Sequence, residues 1–498
     1  MNVNPITRLD YPDPDVIRVE DTYYMVSTTM HFMPGCEILQ SFDLVHWEHV
    51  TYVYETLDHT DAQQLKSGQN IYGQGMWAAS LRYHEGRFCI CFVANDTRKT
   101  YLYTSEKIDG PWKKQLIEGF YHDGSLLFDE DGRNYIVYGN DEIWITELNE
   151  DLTAPKKDGL HRLLVSDHKN PELGYEGSHI QKINGYYYIF LVHSLRDCWM
   201  RTEACFYSDS LEGEFTGGDV LCDDRGYCGQ GVAQGGIVDT PDGKWYAMLF
   251  QDSGAVGRIP ILLPVTWKDH FPFFGQNGHV PEEIEVHSTR PGYIYQPLVG
   301  SDDFCNGLLP RWQFNHDPDP RYYHLDALQG TYTITTREVC TELTQAVNTL
   351  TQRMSYPSCA AEVTVDASAL KEGDVAGLCA LQSCYAAVGI TKHHGKYEVL
   401  MLDKKEDGIL DMTEGTVVES HQMDFRLEAD FCNMKDEARC YYRVNKGDWL
   451  PIGTVHKLYF KLDHFTGCRF GLFCYAAEET GGSACFRDFK YYDVDEIS

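Results

Sequence analysis

The chain has 498 residues, 43% hydrophobic and 13% aromatic, with 42 basic against 75 acidic side chains and a net charge of −33. That length exceeds one ordinary domain and points to two, while the negative field excludes nucleic acid and anionic membranes as partners and leaves a neutral ligand as the expectation. The 33 tyrosines, 23 phenylalanines and 9 tryptophans suit β structure and flat, sugar-like ligands. At the start, MNVNPITRLDYPDPD carries neither a basic n-region nor an apolar h-region. No stretch approaches the roughly 18 apolar residues of a membrane span. The 17 cysteines include no CxxC pair and no Cys/His cluster at zinc spacing. Cys89 and Cys91 alternate on one predicted strand. These features read as reduced thiols packed as small hydrophobes in a cytoplasmic protein, with a processed or leaderless exported protein as the alternative.

Asp13 stands between Pro12 and Pro14 in Tyr-Pro-Asp-Pro. Each proline fixes its own φ and biases the residue before it toward an extended conformation. The carboxylate is therefore expected on a stiff, extended stalk at the start of a strand. A group that must aim at one ligand atom needs such stiffness, although an acidic turn entering a hairpin uses the same residues.

A turn followed by aromatics and an apolar run then recurs five times: EDTYYMVST (20–28), EGRFCICFVAN (85–95), DGRNYIVYGN (131–140), NGYYYIFLVHS (184–194) and DGKWYAMLFQD (242–252). Measured at Tyr23, Phe88, Asn134, Tyr187 and Trp245, the intervals are roughly 65, 46, 53 and 58 residues. Repeats of that length, each with one strong inner strand, predict a five-bladed β-propeller over residues 1–295. The alternative is a β-sandwich with similar hairpins. Around 290–305, RPGYIYQPLVGSDDF ends the repeats. Beyond it GTYTITT (330–336), AAEVTVDA (360–367), YEVLMLD (397–403), KLYFKLD (457–463) and GLFCYAA (471–477) alternate in period two. They predict a second all-β domain over 301–498, a sandwich of two antiparallel sheets with a concanavalin-like jelly roll.

Within the propeller frame, Asp123 of YHDGSLLFDEDGRNY and Glu176 of NPELGYEGSHIQKINGYYYIF precede the hairpins of later repeats as Asp13 precedes the first. Equivalent positions converge at the propeller axis. Like charges gathered there raise one another's pKa, and a raised acid beside an ionised base is what glycoside hydrolysis requires.

Taken in order and spacing, YPDPDVIRV, SFDLVHWE, GMWAASLRYHEGRF, HDGSLLFDEDG, YEGSHIQKINGYYY, GGIVDTPDGKWYAM, GRIPILLPVTW, DDFCN, WQFNHDP and NTLTQR resemble the glycoside hydrolase family 43 β-xylosidases and α-L-arabinofuranosidases. The resemblance runs over essentially the full length. It implies a five-bladed propeller with a C-terminal sandwich that helps shape the pocket. It also implies Asp13 as general base, Asp123 as the group that tunes and orients the acid, and Glu176 as general acid. Single-displacement hydrolysis with inversion follows, with the acid and base carboxylates about 6.5–9.5 Å apart. Trp77 would wall the pocket, unless it is a core tryptophan. Arg258 would donate to sugar hydroxyls or to the acid, unless it is a salt-bridged strand residue. Phe32 would form an aromatic subsite wall, and Arg469 would reach in from the sandwich.

Two departures qualify the resemblance. Gln234 stands where many relatives have a histidine near a central metal or water, and an amide is a poorer ligand than imidazole. A structural calcium at the axis is thus in doubt, no cofactor is expected to be required, and Gln234 is grouped with the substrate-binding residues. Asp15 stands where a small residue is common, which makes it the rival to Asp13 as base.

The expected activity is an exo-acting inverting glycoside hydrolase that releases xylose, arabinofuranose or both from short, neutral xylan-derived oligosaccharides. A carbohydrate-binding module with a dead site is one alternative, against which the complete Asp/Asp/Glu set argues. An endo-acting arabinan hydrolase is another, disfavoured by the appended sandwich. Propeller enzymes that transfer fructosyl groups are retaining, so the first anomer released separates them. Choice of sugar rests on pocket shape, and self-association into a homo-oligomer stays open.

Overall fold

The computed structural model describes residues 2–493. The end of the expected second domain, 494–498, lies outside the described residues. No α-helix occurs among the described residues, only four short 3-10 turns, and no helix is long and apolar enough to cross a membrane.

Five four-stranded antiparallel sheets follow one another along the first half of the chain. Their first strands are Asp15–Val19, Met76–His84, Ser125–Phe128, Glu176–Ile183 and Val232–Asp239. These five touch in a closed ring, each against the first strand of the blade on either side. They are the innermost strands of a five-bladed propeller. The aromatic and apolar repeats lie one strand further out, at Thr22–Val26, Arg87–Ala94, Asn134–Asn140, Tyr186–Ser194 and Trp245–Asp252. This corrects the expectation that they are the inner strands. A second strand is covered on both edges and both faces, so it carries the strongest apolar run. The innermost strand must also supply polar groups to the axis.

Those groups form one network. Asp15 Oδ2 accepts from Arg82 Nη1 at 2.8 Å and from the Leu81 amide at 2.7 Å, and its Oδ1 lies 3.1 Å from His179 Nδ1. Arg82 continues to Ser125 Oγ at 2.7 Å. Burial pushes the Asp15 carboxyl up, but Arg82 and His179 outweigh it and hold the group below the usual carboxylate range. Three blades are thereby joined by one buried anion. The ring is tied shut by Asn2–Val3 pairing with Glu283–Ile284 and by Asn4 Nδ2, which donates to Leu262 O at 2.7 Å.

The second half forms two packed sheets. One runs from Leu410–Met412 through Lys396–Lys404, Tyr385–His393, Asp374–Leu381, Arg469–Ala476 and Leu350–Arg353 to Gln313–Asn315. The other is seven-stranded and includes Ser358–Asp366, Gln422–Asp430 and Ser483–Asp493. Their period-two faces meet in a core that includes Leu378, Val388, Met401, Val363, Phe425 and Phe486. The first sheet ends on a strand from the propeller: Phe32–Met33 pairs with Phe314 and Asn315. The domains thus share a sheet. The joint is further closed by a buried ion pair between Glu37 and Arg353 at 2.8 Å.

Three histidines pack at this joint. His31 lies 4.7 Å from His316 and 5.2 Å from His464, ring to ring, and all three are buried. His316 Nε2 accepts the Ile71 amide at 3.0 Å, which requires the neutral ring. Burial, with the neighbouring charges, drives His316 and His464 down to about 3 and His31 well below its usual value. In the unfolded chain the same imidazoles titrate near 6.5. The unfolded state therefore binds more protons below that pH, and stability that is complete above it is lost as pH falls toward 3. Each group contributes up to about 1.4 kcal/mol per pH unit. Calorimetric melting between about pH 7 and about pH 4 should show a falling Tm, and His464→Phe should make that fall shallower; parallel curves would refute the assignment.

Candidate active site

At one mouth of the axis lies a cavity of 230 Å³. Three carboxylates line it (Asp13, Asp123 and Glu176), with three cationic side chains (His122, Arg201 and Arg258) and two amides (Asn140 and Gln234). Trp77, Leu173 and Trp199 form apolar wall from the propeller, and Leu462 and Phe465 complete it from the sandwich.

Backbone irregularity aims these groups. The innermost strands of three blades shift register at their cavity ends, between Met76 and Ala79, Glu176 and His179, and Ala233 and Gly236. Such bulges turn side chains out of the regular alternation, and they present Trp77, Glu176 and Gln234. The other two carboxylates sit just before their strands at positive φ, 52° for Asp13 and 47° for Asp123. Asp13 is therefore not extended, contrary to the reading of its flanking prolines. Aspartate tolerates the left-handed region better than most residues, and tertiary bonds hold it there. Asp13 Oδ1 accepts from Arg258 Nη1 at 2.7 Å and Oδ2 from Thr28 Oγ1 at 2.5 Å.

Arg258 is itself anchored, with Nε on Asp252 Oδ1 at 3.1 Å. Asp252 Oδ2 accepts from Arg201 Nε, also at 3.1 Å. Arg201 Nη1 is buried without a protein partner, a donor left over for a ligand. Glu176 Oε2 accepts from Asn140 Nδ2 at 2.7 Å. Asp123 Oδ2 accepts from the Gly177 amide at 3.0 Å. Gly177 has φ 66°, and a Cβ there would stand 2.7 Å from Gln234 Cγ.

His122 separates the two acids, with Nε2 3.5 Å from Asp123 Oδ2 and 3.6 Å from Glu176 Oε2. Burial opposes its charge, yet Asp123, Glu176 and Asp13 outweigh burial and push it up to about 9. Burial likewise raises Asp123, and the negative charges of Glu176 and Asp13 help carry it to about 6. Glu176 is lowered: burial pushes it up, but the nearby His122 imidazole, with Arg201 and Arg258, pulls harder. These charges favour a proton on the His122 imidazole over one on the Glu176 carboxyl.

The sandwich reaches the cavity through one pinned loop. Asp10 Oδ2 accepts the Gly467 amide and Oδ1 the Arg258 amide, both at 2.8 Å. Phe465, two residues before Gly467, lies with its ring 3.8 Å from the Arg258 guanidinium and 5.3 Å from Trp77. Burial raises Asp10 to about 6.

Of the residues singled out from sequence, Asp13, Asp123, Glu176, Trp77, Arg258 and Gln234 meet in the cavity. Phe32 and Arg469 do not. Phe32 is consumed in the shared sheet, and the buried Arg469 lies 3.4 Å over its ring while donating to Gln313 Oε1 at 2.7 Å. Asp15 is spent on the axial network. His122, Asn140, Leu173, Trp199, Arg201, Leu462 and Phe465 went unnoticed in the sequence. Adjacency to Asp123 could have drawn attention to His122, and Asn140 and Arg201 sit at strand ends facing the cavity; nothing local marks Phe465. The donor atoms of His122, Asp123 and Glu176 lie within 4.8 Å of one another. Two permanent cations, the guanidiniums of Arg201 and Arg258, line the same cavity and disfavour a divalent ion there. The amide of Gln234 does not change that balance.

A family model described as glycosyl hydrolases family 43 matches residues 3–272, and one described as beta xylosidase C-terminal concanavalin A-like domain matches residues 301–492. The chain is 26% identical to a beta-xylosidase of Formosa agariphila, over 99% of this chain and 89% of the relative. It is 23% identical to a xylosidase/arabinosidase of Butyrivibrio fibrisolvens, over 99% of both. Among solved structures, it superposes on a bifunctional GH43-CE protein of Bacteroides eggerthii with a TM-score of 0.91 and 41% identity. All of this chain is covered there, and it spans 64% of that protein.

Gly177→Ala combines a strained φ with a collision against Gln234. It should lower the unfolding free energy in urea by about 1–3 kcal/mol, and an unchanged midpoint would show that the cradle yields.

Proposed function

Since the chain belongs to glycosyl hydrolase family 43 and is a glycoside hydrolase, we propose that it removes single xylose or arabinofuranose units from the ends of short xylan-derived oligosaccharides, with inversion. The observation that carries this reading is the cavity itself. At 230 Å³ it is smaller than the roughly 300–1,000 Å³ of pockets for drug-sized ligands, and suits about one sugar ring. Its closure by Leu462 and Phe465 argues against an endo-acting cleft. The names of the Formosa and Butyrivibrio relatives support the pentose class and leave both sugars in play.

In this mechanism Asp13 takes a proton from a water attacking the anomeric carbon, while Glu176 gives one to the departing glycosidic oxygen. Arg258 and Thr28 hold the Asp13 carboxylate so that one oxygen lobe stays directed at the water. Asp123, held by the Gly177 amide, sets the charge around the acid. Arg201, with its free Nη1, and Gln234 would donate to ring hydroxyls. Trp77, Trp199 and Phe465 offer faces for the apolar side of the sugar. Exclusion of water by these walls strengthens every charge interaction within. The reading uses no metal. Seventeen free cysteines support a reducing, cytoplasmic setting.

Glu176→Ala should lower kcat/KM on xylobiose by about 10²–10⁴-fold and spare aryl pentosides with good leaving groups; equal loss on both would overturn its role as acid. Asp13→Ala should abolish turnover of every substrate with the fold retained, whereas Asp15→Ala should act by lowering Tm through the axial network. Proton NMR of the first product should show the inverted anomer. Parallel assays of p-nitrophenyl β-xyloside and p-nitrophenyl α-L-arabinofuranoside decide the sugar, and inactivity on both would overturn the substrate class.

A further inference from the structure

Resting on the assignment of Glu176 as the acid, we propose that His122 is a positioning residue that stores the acid's proton: its Nε2 carries the hydrogen in the empty site and passes it to Glu176 when substrate displaces water. The geometry that carries this is the place of Nε2, 3.5 Å from Asp123 Oδ2 and 3.6 Å from Glu176 Oε2. The atom is buried and has no closer hydrogen-bond partner. A buried donor normally finds a bond at about 2.7–3.2 Å. This one is suspended between two carboxylates, in a position to close on either.

The need for such a store follows from the charges around Glu176. A general acid must hold its proton when substrate arrives, yet His122, Arg201 and Arg258 pull the Glu176 carboxyl below the usual carboxylate range. The groups facing His122 are Asp123, its chain neighbour, Glu176 on the next blade and Asp13 across the cavity. The Trp77 and His122 ring centroids lie 6.0 Å apart in an edge-type contact. These three carboxyls favour the protonated imidazole. A sugar that fills the cavity expels water and removes the solvation of both ions. An ion pair that loses its water becomes costly relative to its neutral tautomer.

The step balances. The Nε2–H bond breaks as Glu176 Oε2–H forms, leaving neutral imidazole and a carboxylic acid. Oε2–H then breaks as the leaving oxygen gains its hydrogen, while Asp13 takes one proton from the attacking water. After release, Asp13 returns that proton to solvent and His122 recovers one from it. The basic limb of the pH profile then belongs to the imidazolium rather than to a carboxylic acid.

The test is the pH profile of kcat/KM on xylobiose, and on an arabino-oligosaccharide if that is the sugar turned over, for wild type and His122→Gln. The wild-type basic limb should lie above about pH 8, and the variant's should move down by about two units or more. At about pH 8 the variant should lose about 100-fold while staying within a few-fold of wild type at about pH 5. Aryl pentosides with good leaving groups should change little at either pH. An unmoved basic limb, or a loss equal at all pH values, overturns the proposal while leaving the glycosidase reading intact. A wild type inactive on every pentoside overturns that reading first. Should His122→Gln fail to fold, 15N NMR of the wild-type histidines decides: a ring near the cavity still protonated at about pH 8 supports the proposal, and none overturns it.

Discussion

The buried guanidinium of Arg258 is the joint on which the site depends. It bonds Asp13 and Asp252, its backbone amide donates to Asp10, and its face lies against Phe465. One side chain therefore fixes the proposed base, ties the blade 5 hairpin to Arg201 through Asp252, and supports the aromatic ring that closes the cavity. All of its ionic partners are buried. Removing one member of such a set leaves an uncompensated charge, typically at a cost of about 3–5 kcal/mol. The arrangement explains why one arginine can answer to both readings offered by its sequence, since it is salt-bridged on a strand and also lines the pocket.

The same logic governs the wider cavity. Asp13, Asp123 and Glu176 converge with His122, Arg201 and Arg258, so neither sign is in large excess. Convergence of anions alone would neutralise them by proton uptake. Interleaved cations keep the carboxyls apart in protonation, with Asp123 raised and Glu176 lowered. The axis below uses a cheaper device, a single anion at Asp15 shared between Arg82 and His179. That network is structural: Asp15 is fully engaged, and Arg82 spends its remaining donors on Ser125 and on backbone carbonyls. The cavity differs in leaving Arg201 Nη1 and His122 Nε2 without a protein hydrogen bond.

The sandwich is part of the site. Strand Phe32–Met33 belongs to its sheet, Glu37 pairs with Arg353, and Asp10 pins the loop that delivers Phe465. Close backbone approach at the pin leaves no room for side chains: a Cβ on Gly467 would meet Val256 O at 1.9 Å. Completion of the cavity wall by Leu462 and Phe465 of the second domain fits removal of terminal units.

The sequence by itself determined the blade count, because an apolar strand covered on all sides must announce itself as a hydrophobic run, and five such runs recur. It also determined the sandwich, through period-two alternation, and the three carboxylates, because Asp13, Asp123 and Glu176 precede repeats in register. Tertiary structure alone decided the rest. The runs prove to be second strands, since only the closed ring of first strands shows which edge faces the axis. Asp13 takes positive φ against the bias of its prolines because Arg258 and Thr28, distant in sequence, hold its carboxylate. Phe32 and Arg469 left the site, and Phe465 entered it, through pairings between domains that no local pattern encodes. A strand's apolar period is written in neighbouring residues, whereas the direction of a buried charge is set by whichever partner the whole fold brings near.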